Sequence, residues 1–154
     1  MKRVNVIEVG WIQDKAAQAD QMYRALMTPL LAPNERLLGV CQATQSTSFS
    51  NKIFVIGVMP DRVVLVQVDR KFQMKGSSIS LRREDITKSS VDGFGGGLRQ
   101  FLSAELGDIR VDTASGSYKL MILGGGMDQA LTGQGQLDGK TRFLEFLASA
   151  RGIH

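Results

Sequence analysis

Two apolar runs dominate the pattern, Ile53–Met59 and Val63–Val68, separated by Pro60-Asp61-Arg62. Both are rich in Val and Ile and too short for a helix, so the pair reads as two strands buried on at least one face. Pro60 presets φ for the first corner of the turn, and Asp61 suits the second. Upstream, Ala16, Ala19, Tyr23 and Leu26 recur at steps of three and four. This spacing predicts one face of a helix running from Asp14, a fair N-cap, to the residues before Pro29. The stripe needs a cover, either the sheet of its own chain or the same stripe in a second copy. Residues 1–12 suit a strand and an early helix equally.

After the joint at Pro33-Asn34, Glu35–Thr47 predicts a first strand and Ser46–Asn51 a loop into the hairpin. Asp69–Gly76 is a basic connection. Ser78–Arg82 alternates polar and apolar as a half-buried strand does, and Glu84-Asp85 turns the chain into a strand at Ile86–Val91. Gly93–Gly97 breaks the structure, and Leu98–Leu106 carries a short helical pattern. Asp108–Thr113 and Ser117–Leu123 form a second hairpin about Ala114-Ser115-Gly116. Met127–Gln136 reads as a loop. A closing helix is then expected from Asp138 as its cap, with Phe143, Phe146, Leu147 and Ala150 on its apolar face, Arg151 complementing its dipole and Gly152 ending it. The expected class is therefore mainly β with helices (α+β), about seven antiparallel strands closed by a C-terminal helix. So long a sheet does not stay flat, and its open end needs a cover. Phe143, Phe146 and Leu147 can supply it at ~1.5–3 kcal/mol each when fully buried.

At 154 residues the chain suits one domain with an added segment, divided here into a helical extension, 1–33, and a domain, 34–154. A hydrophobic content of 43% excludes a disordered chain. Cys41 is the single cysteine, which excludes an intrachain disulfide and a cysteine metal cluster and fits a reducing compartment. Asn5 and Glu8 interrupt the stretch after Met1-Lys2-Arg3, and no run approaches the ~18 apolar residues of a membrane span. The expected location is the cytoplasm.

Charge changes the picture locally. The net charge is +4, and the segment from Lys52 to Lys88 carries it, with eight basic residues against four acidic ones. Lys52, Arg70, Lys71 and Lys75 are the candidate anion site, for a phosphate or an anionic lipid, with Phe72 between them. Interleaved acids give the competing reading of a solvated, charge-guarded sheet edge. With aromatic residues at 6% there is little for bases to stack on, which weighs against nucleic acid.

Catalytic chemistry finds few supports. Gly133–Thr141 invites a phosphate-loop reading, but counting back from Gly139-Lys140-Thr141 the first glycine belongs at 134, which is Gln134. The only histidine is the last residue, His154, and Cys41 falls inside a strand as a core side chain. Asp108 and Asp112, if on one strand, lie ~13 Å apart along it, too far to cooperate. No cluster has metal-ligand spacing. The expectation is no catalytic residue, no metal and no cofactor, with a nucleotide-using enzyme as the weakest alternative.

Several strings, taken in order, resemble the bacterial pleckstrin-homology (PH-like) domain family. They are Asn34-Glu35-Arg36-Leu37-Leu38, the FVIGVMPDRVVLV hairpin, Ser80-Leu81-Arg82-Arg83-Glu84-Asp85-Ile86, IRVDTASGSYKLMI and FLEFLASAR, spanning about 35–151. Arg62 matches an arginine that the family often has after the hairpin turn, while Met59 or Pro60 stands where a threonine is common. The resemblance implies a partly open antiparallel β-barrel or sandwich, and a binding platform for inositol phosphates, peptides or further copies of itself. Lipid-binding members carry several basic residues around the first strand–loop–strand. The matching stretch here, Thr44 to Phe54, holds only Lys52. The expected function is thus a non-catalytic binding or assembly module working through protein contacts or self-association, with anionic lipid or phosphate recognition by the basic loop as the alternative.

Overall fold

The computed structural model describes residues 17–46, 51–91, 108–122 and 129–151. Seven strands, β1 Gly39–Ser46, β2 Asn51–Val58, β3 Arg62–Val68, β4 Ile79–Arg82, β5 Ile86–Val91, β6 Asp108–Thr113 and β7 Gly116–Met121, form one sheet in the order β4-β3-β2-β1-β7-β6-β5. All pairings are antiparallel. A helix α1 covers residues 17–27 and runs into a 3-10 turn at Thr28–Leu30; the closing helix α2 spans Gln129–Arg151. The two halves of the sheet meet at the pair Thr44 and Met121. At the other side β4 and β5 are joined by a 3-10 turn, Arg83–Asp85, in which the Asp85 carboxylate accepts the Arg82 N–H at 2.8 Å. The result is a partly open, α2-capped antiparallel barrel of the PH-like type, with α1 added outside.

The opening hairpin is as apolar as it is because β1–β3 are buried on both faces. The inner face carries Cys41, Ala43, Phe54, Ile56, Val58, Val63 and Leu65, which pack with Phe143, Leu144, Phe146 and Leu147 of α2. The outer face carries Val40, Val55, Val64, Val66 and Val68, covered by Tyr23 and Met27 of α1. A strand covered twice loses the alternation of a half-exposed one and reads as a continuous run. The α1 stripe is therefore seated on its own sheet. Gly57 makes room for it, since a Cβ there would lie 2.6 Å from the Met27 sulfur. Tyr23 adds a hydrogen bond from its hydroxyl to Gln42 Oε1 at 2.6 Å, and burial pushes its pKa up to about 12. Tyr23→Phe is expected to cost ~1 kcal/mol, the net worth of one such bond, in urea unfolding at neutral pH. The wild type should also lose stability between about pH 10 and about pH 12, because the unfolded phenol ionises first; the variant lacks that loss.

Expectation and structure agree over most strands, β5 and β6 to the residue, and part in three places. The first strand begins at Gly39 rather than Glu35. Residues 32–35 make a turn in which the Glu35 N–H bonds the Ala32 carbonyl at 3.0 Å, with Asn34 at φ 66. The 3-10 turn at Thr28–Leu30 carries the helical chain through Pro29, which takes a first-turn position where its missing N–H costs nothing. The largest difference is the stretch expected to be a loop up to Gln136: it is helical from Gln129, so Asp138 is an interior residue bonded by Gln134 at 2.8 Å rather than a cap. Glycine's low helix propensity is overridden by packing here. Gly139 lies against the Val40 backbone and faces Gly39, whose own Cβ would be 3.1 Å from the Gly139 Cα, so the glycines are the contact surface of helix and strand. Beside them Gln136 accepts the Gln42 N–H and donates to the Gln42 carbonyl, both at 2.9 Å, supplying β1 with the partners a neighbouring strand would give. The readings for residues 1–12, the Asp14 cap, Gly93–Gly97 and Leu98–Leu106 lie outside the described residues.

Candidate functional site

The basic connection after β3 is an ordered loop. The Asp69 carboxylate accepts the N–H groups of Lys71 at 2.8 Å and Gln73 at 3.0 Å. The Asp69 N–H bonds the Gln73 carbonyl, Phe72 N–H bonds the Asp69 carbonyl, and Lys75 N–H bonds the Gln67 carbonyl at 2.7 Å. Phe72 adopts a left-handed φ of 60, which turns its ring onto Tyr23 at a centroid distance of 5.7 Å. The aromatic side chain is thus an anchor for the loop on the outer core. Arg70, Lys71 and Lys75 are exposed together on this loop. Lys52 stands apart: it is one residue beyond the Ile53–Val68 pair, at the root of the loop, and strand alternation sends it to the face opposite Ile53. Three of the four expected anion-site residues share one loop, and the fourth does not share its face.

A second region lies at the opposite end of the hairpin. A cleft of about 210 Å³ is lined by Leu38, Val58, Met59 and Pro60 on one side and by Arg142, Glu145, Phe146 and Ser149 of α2 on the other, with Arg83 at its edge. Arg83 is fixed by three contacts: Nη2 donates to the Pro60 carbonyl at 2.9 Å, Nε donates to Ser149 Oγ at 2.9 Å, and the guanidinium lies 4.6 Å from the centre of the Phe146 ring. Its Nη1 is 3.8 Å from the exposed Asp61 carboxylate, and Arg142 is 3.7 Å from Glu145. Both are loose pairs in water and cost little to exchange.

The same end is braced by Glu35 and Arg62. The Arg62 guanidinium donates to both Glu35 oxygens at 2.9 and 2.8 Å, to the Leu30 carbonyl at 2.7 Å and to Ser80 Oγ at 3.1 Å. Glu35 also accepts the Ala32 N–H at 2.9 Å. The Arg62 hydrogen bonds hold the Glu35 carboxyl down at about 2, against the opposing effect of burial. Sequence reasoning missed this pair and the cleft, since their members lie far apart in the chain. The available signal was a charged residue at the entrance to each apolar strand.

Other candidates fall into structural roles. Cys41 is fully buried and burial pushes its thiol up to about 12, so it is not a nucleophile at neutral pH. Asp112 accepts from Ser117 Oγ at 2.6 Å and from Arg110 Nε at 3.1 Å, and those bonds hold its carboxyl below the ordinary range. Gly133–Thr141, the stretch with an imperfect phosphate-loop spacing, is inside α2, where backbone N–H groups serve the helix. Among the described residues no group of three or more His, Cys, Asp or Glu side chains could hold a metal ion, and no helix is long and apolar enough to cross a membrane.

No family model matches the chain, and no curated protein matches it. Solved structures do resemble it. The C-terminal domain of an unknown protein from Leishmania infantum is 12% identical, with a TM-score of 0.42 over 67% of this chain and 83% of that one. The hSac2 domain from the human phosphoinositide phosphatase Sac2 is 12% identical, with a TM-score of 0.50 over 88% of this chain and 82% of that one. At that identity the likeness to the Sac2 domain is one of fold alone.

Proposed function

We propose that this chain is a non-catalytic binding module of the bacterial PH-like kind, and that it takes a segment of a partner protein in the cleft between the Pro60 turn and α2. The observation that carries the reading is the cleft itself. At about 210 Å³ it is smaller than the ~300–1,000 Å³ of small-molecule and cofactor pockets, and it suits a single large side chain. Its floor is apolar, through Leu38, Val58, Met59 and Phe146, and its rim carries Arg83 and Arg142 against Glu145. The complementary segment has one large apolar residue beside an acidic one. Arg83 needs no reordering to meet that acid, because the Pro60 carbonyl and Ser149 already hold it.

Panning random displayed peptides on the full chain tests this. Enriched sequences are expected to share a large apolar residue adjacent to Asp or Glu. Arg142→Glu, an exposed change, should weaken them at least about tenfold, the ~1.4 kcal/mol expected for a rim charge reversed against a like charge. Its melting temperature should stay that of the wild type. No enrichment, or peptides indifferent to Arg142→Glu, would remove the reading. A second copy of the chain is one kind of protein partner, and light scattering across a concentration series reports it.

A further inference from the structure

We propose that the outer face of the sheet at the β3–β4 loop is a docking surface for an anionic lipid bilayer, a surface separate from the cleft and independent of what the cleft binds. The first observation is the register. Met121 pairs with Thr44, Thr44 with Ile53, Ile53 with Val68, and Val68 with Met74. Directly opposed residues of antiparallel strands point to the same side, and Val68 and Ile53 belong to the outer cluster. The five therefore lie in one row across the outer face, buried at Val68 in the outer core and exposed at the methionine on each end. Met74 is 42% exposed and Met121 39%. Together with Met22 of α1, which precedes the Tyr23 that holds Phe72, these are the exposed large apolar side chains among the described residues. All three are the unbranched, adaptable thioether type that suits a fluid apolar phase.

The second observation is the charge around Met74. From Arg70 to Ser78 the loop has three basic residues and no acidic one. The carboxylate at its base, Asp69, is turned to the loop's own N–H groups. Arg70, Lys71 and Lys75 are thus exposed on the same loop as Met74, a loop whose backbone is already held in shape by Asp69 and Phe72. Three exposed cations hold a soluble anion weakly, whereas an anionic bilayer offers many headgroups at once and an acyl boundary for the methionine. Lys52, on the other face of β2, is not part of this surface.

Vesicle sedimentation of the full chain tests the proposal. Phosphatidylserine-rich vesicles are expected to carry the protein down, pure phosphatidylcholine vesicles to leave it in solution, and high salt to release it. Arg70→Glu with Lys71→Glu should lower partitioning by at least about 30-fold, at about fivefold for each charge removed and more for reversal. Met74→Ser, an exposed change that leaves the melting temperature alone, should lower it several-fold at constant charge. Absence of sedimentation with phosphatidylserine, or binding that ignores Met74→Ser, overturns the proposal. So does complete release by inositol hexakisphosphate with Met74→Ser unaffected, which would assign the loop to a soluble phosphate. Because Arg142→Glu leaves this surface untouched, failure of one site does not read as failure of the other.

Discussion

Gly139→Ala is expected to destabilise the protein by at least ~3 kcal/mol, the upper part of the range for overpacking a close-packed contact. In an exposed helix the same change would add about 1 kcal/mol, because alanine is the better helix former. Here the new methyl would stand inside the Val40 carbonyl and 3.0 Å from the Cys41 Cβ. The obstacle is backbone of a central strand, so α2 as a whole would have to lift from β1, weakening the Gln136 bonds to Gln42 and the packing of Phe143 and Leu147. Gly135→Ala, one turn earlier, makes the opposite case. Its methyl meets only the Asp20 side chain, with Oδ1 at 2.5 Å, and that half-buried carboxylate is the far end of a side chain that can turn while its other oxygen stays with Arg24. It is expected to change stability by less than ~1 kcal/mol in either direction. Paired urea melts of the two variants check this. Equal and small effects at both positions would show that α2 is not seated as described.

Arg62→Met is expected to cost about 2–3 kcal/mol at neutral pH. The substitution keeps the aliphatic stem but leaves the Glu35 carboxylate, with its side chain only 15% exposed, without its principal partner, and it strips the Leu30 carbonyl of a donor. The pH dependence carries the specific signature. Glu35 has a folded pKa of about 2 against an ordinary 4.5. As pH falls from about 4.5 to about 2 the unfolded chain takes up this proton before the folded one does, so the wild type loses stability across that window. In Arg62→Met the Arg62 bonds that lower the pKa are gone, and the loss across the window should shrink. Unfolding at pH 7 and pH 3 measures it. An identical acid slope in both proteins would assign the brace to packing rather than to charge.

How much was legible in the sequence follows from where the burial lies. The hairpin was plain because both its faces are covered, and β5 and β6 were plain because one face of each is. The first half of α2 was not legible, since Gly133, Gly135 and Gly139 carry the local signal of a loop. The role of Gly139 as a contact surface depends on β1, nearly a hundred residues earlier. The basic loop could be found because its charges are neighbours in sequence. What could not be read was that Met74 is left exposed beside Phe72, which depends on a left-handed turn at a non-glycine residue. The cleft was invisible for a different reason: Leu38, Met59, Arg83 and Phe146 come from four segments that only the folded barrel assembles.

The Gln136 bonds to Gln42 span 94 residues. During synthesis β1, β2 and β3 leave the ribosome early, as a continuous apolar meander with an unpaired stretch along β1. The side chain that completes that stretch follows only after the entire second half of the barrel, on the order of 5–20 s later at ordinary elongation rates. Until α2 has been made, the Gln42 N–H and carbonyl therefore lack the side chain that bonds them in the finished barrel.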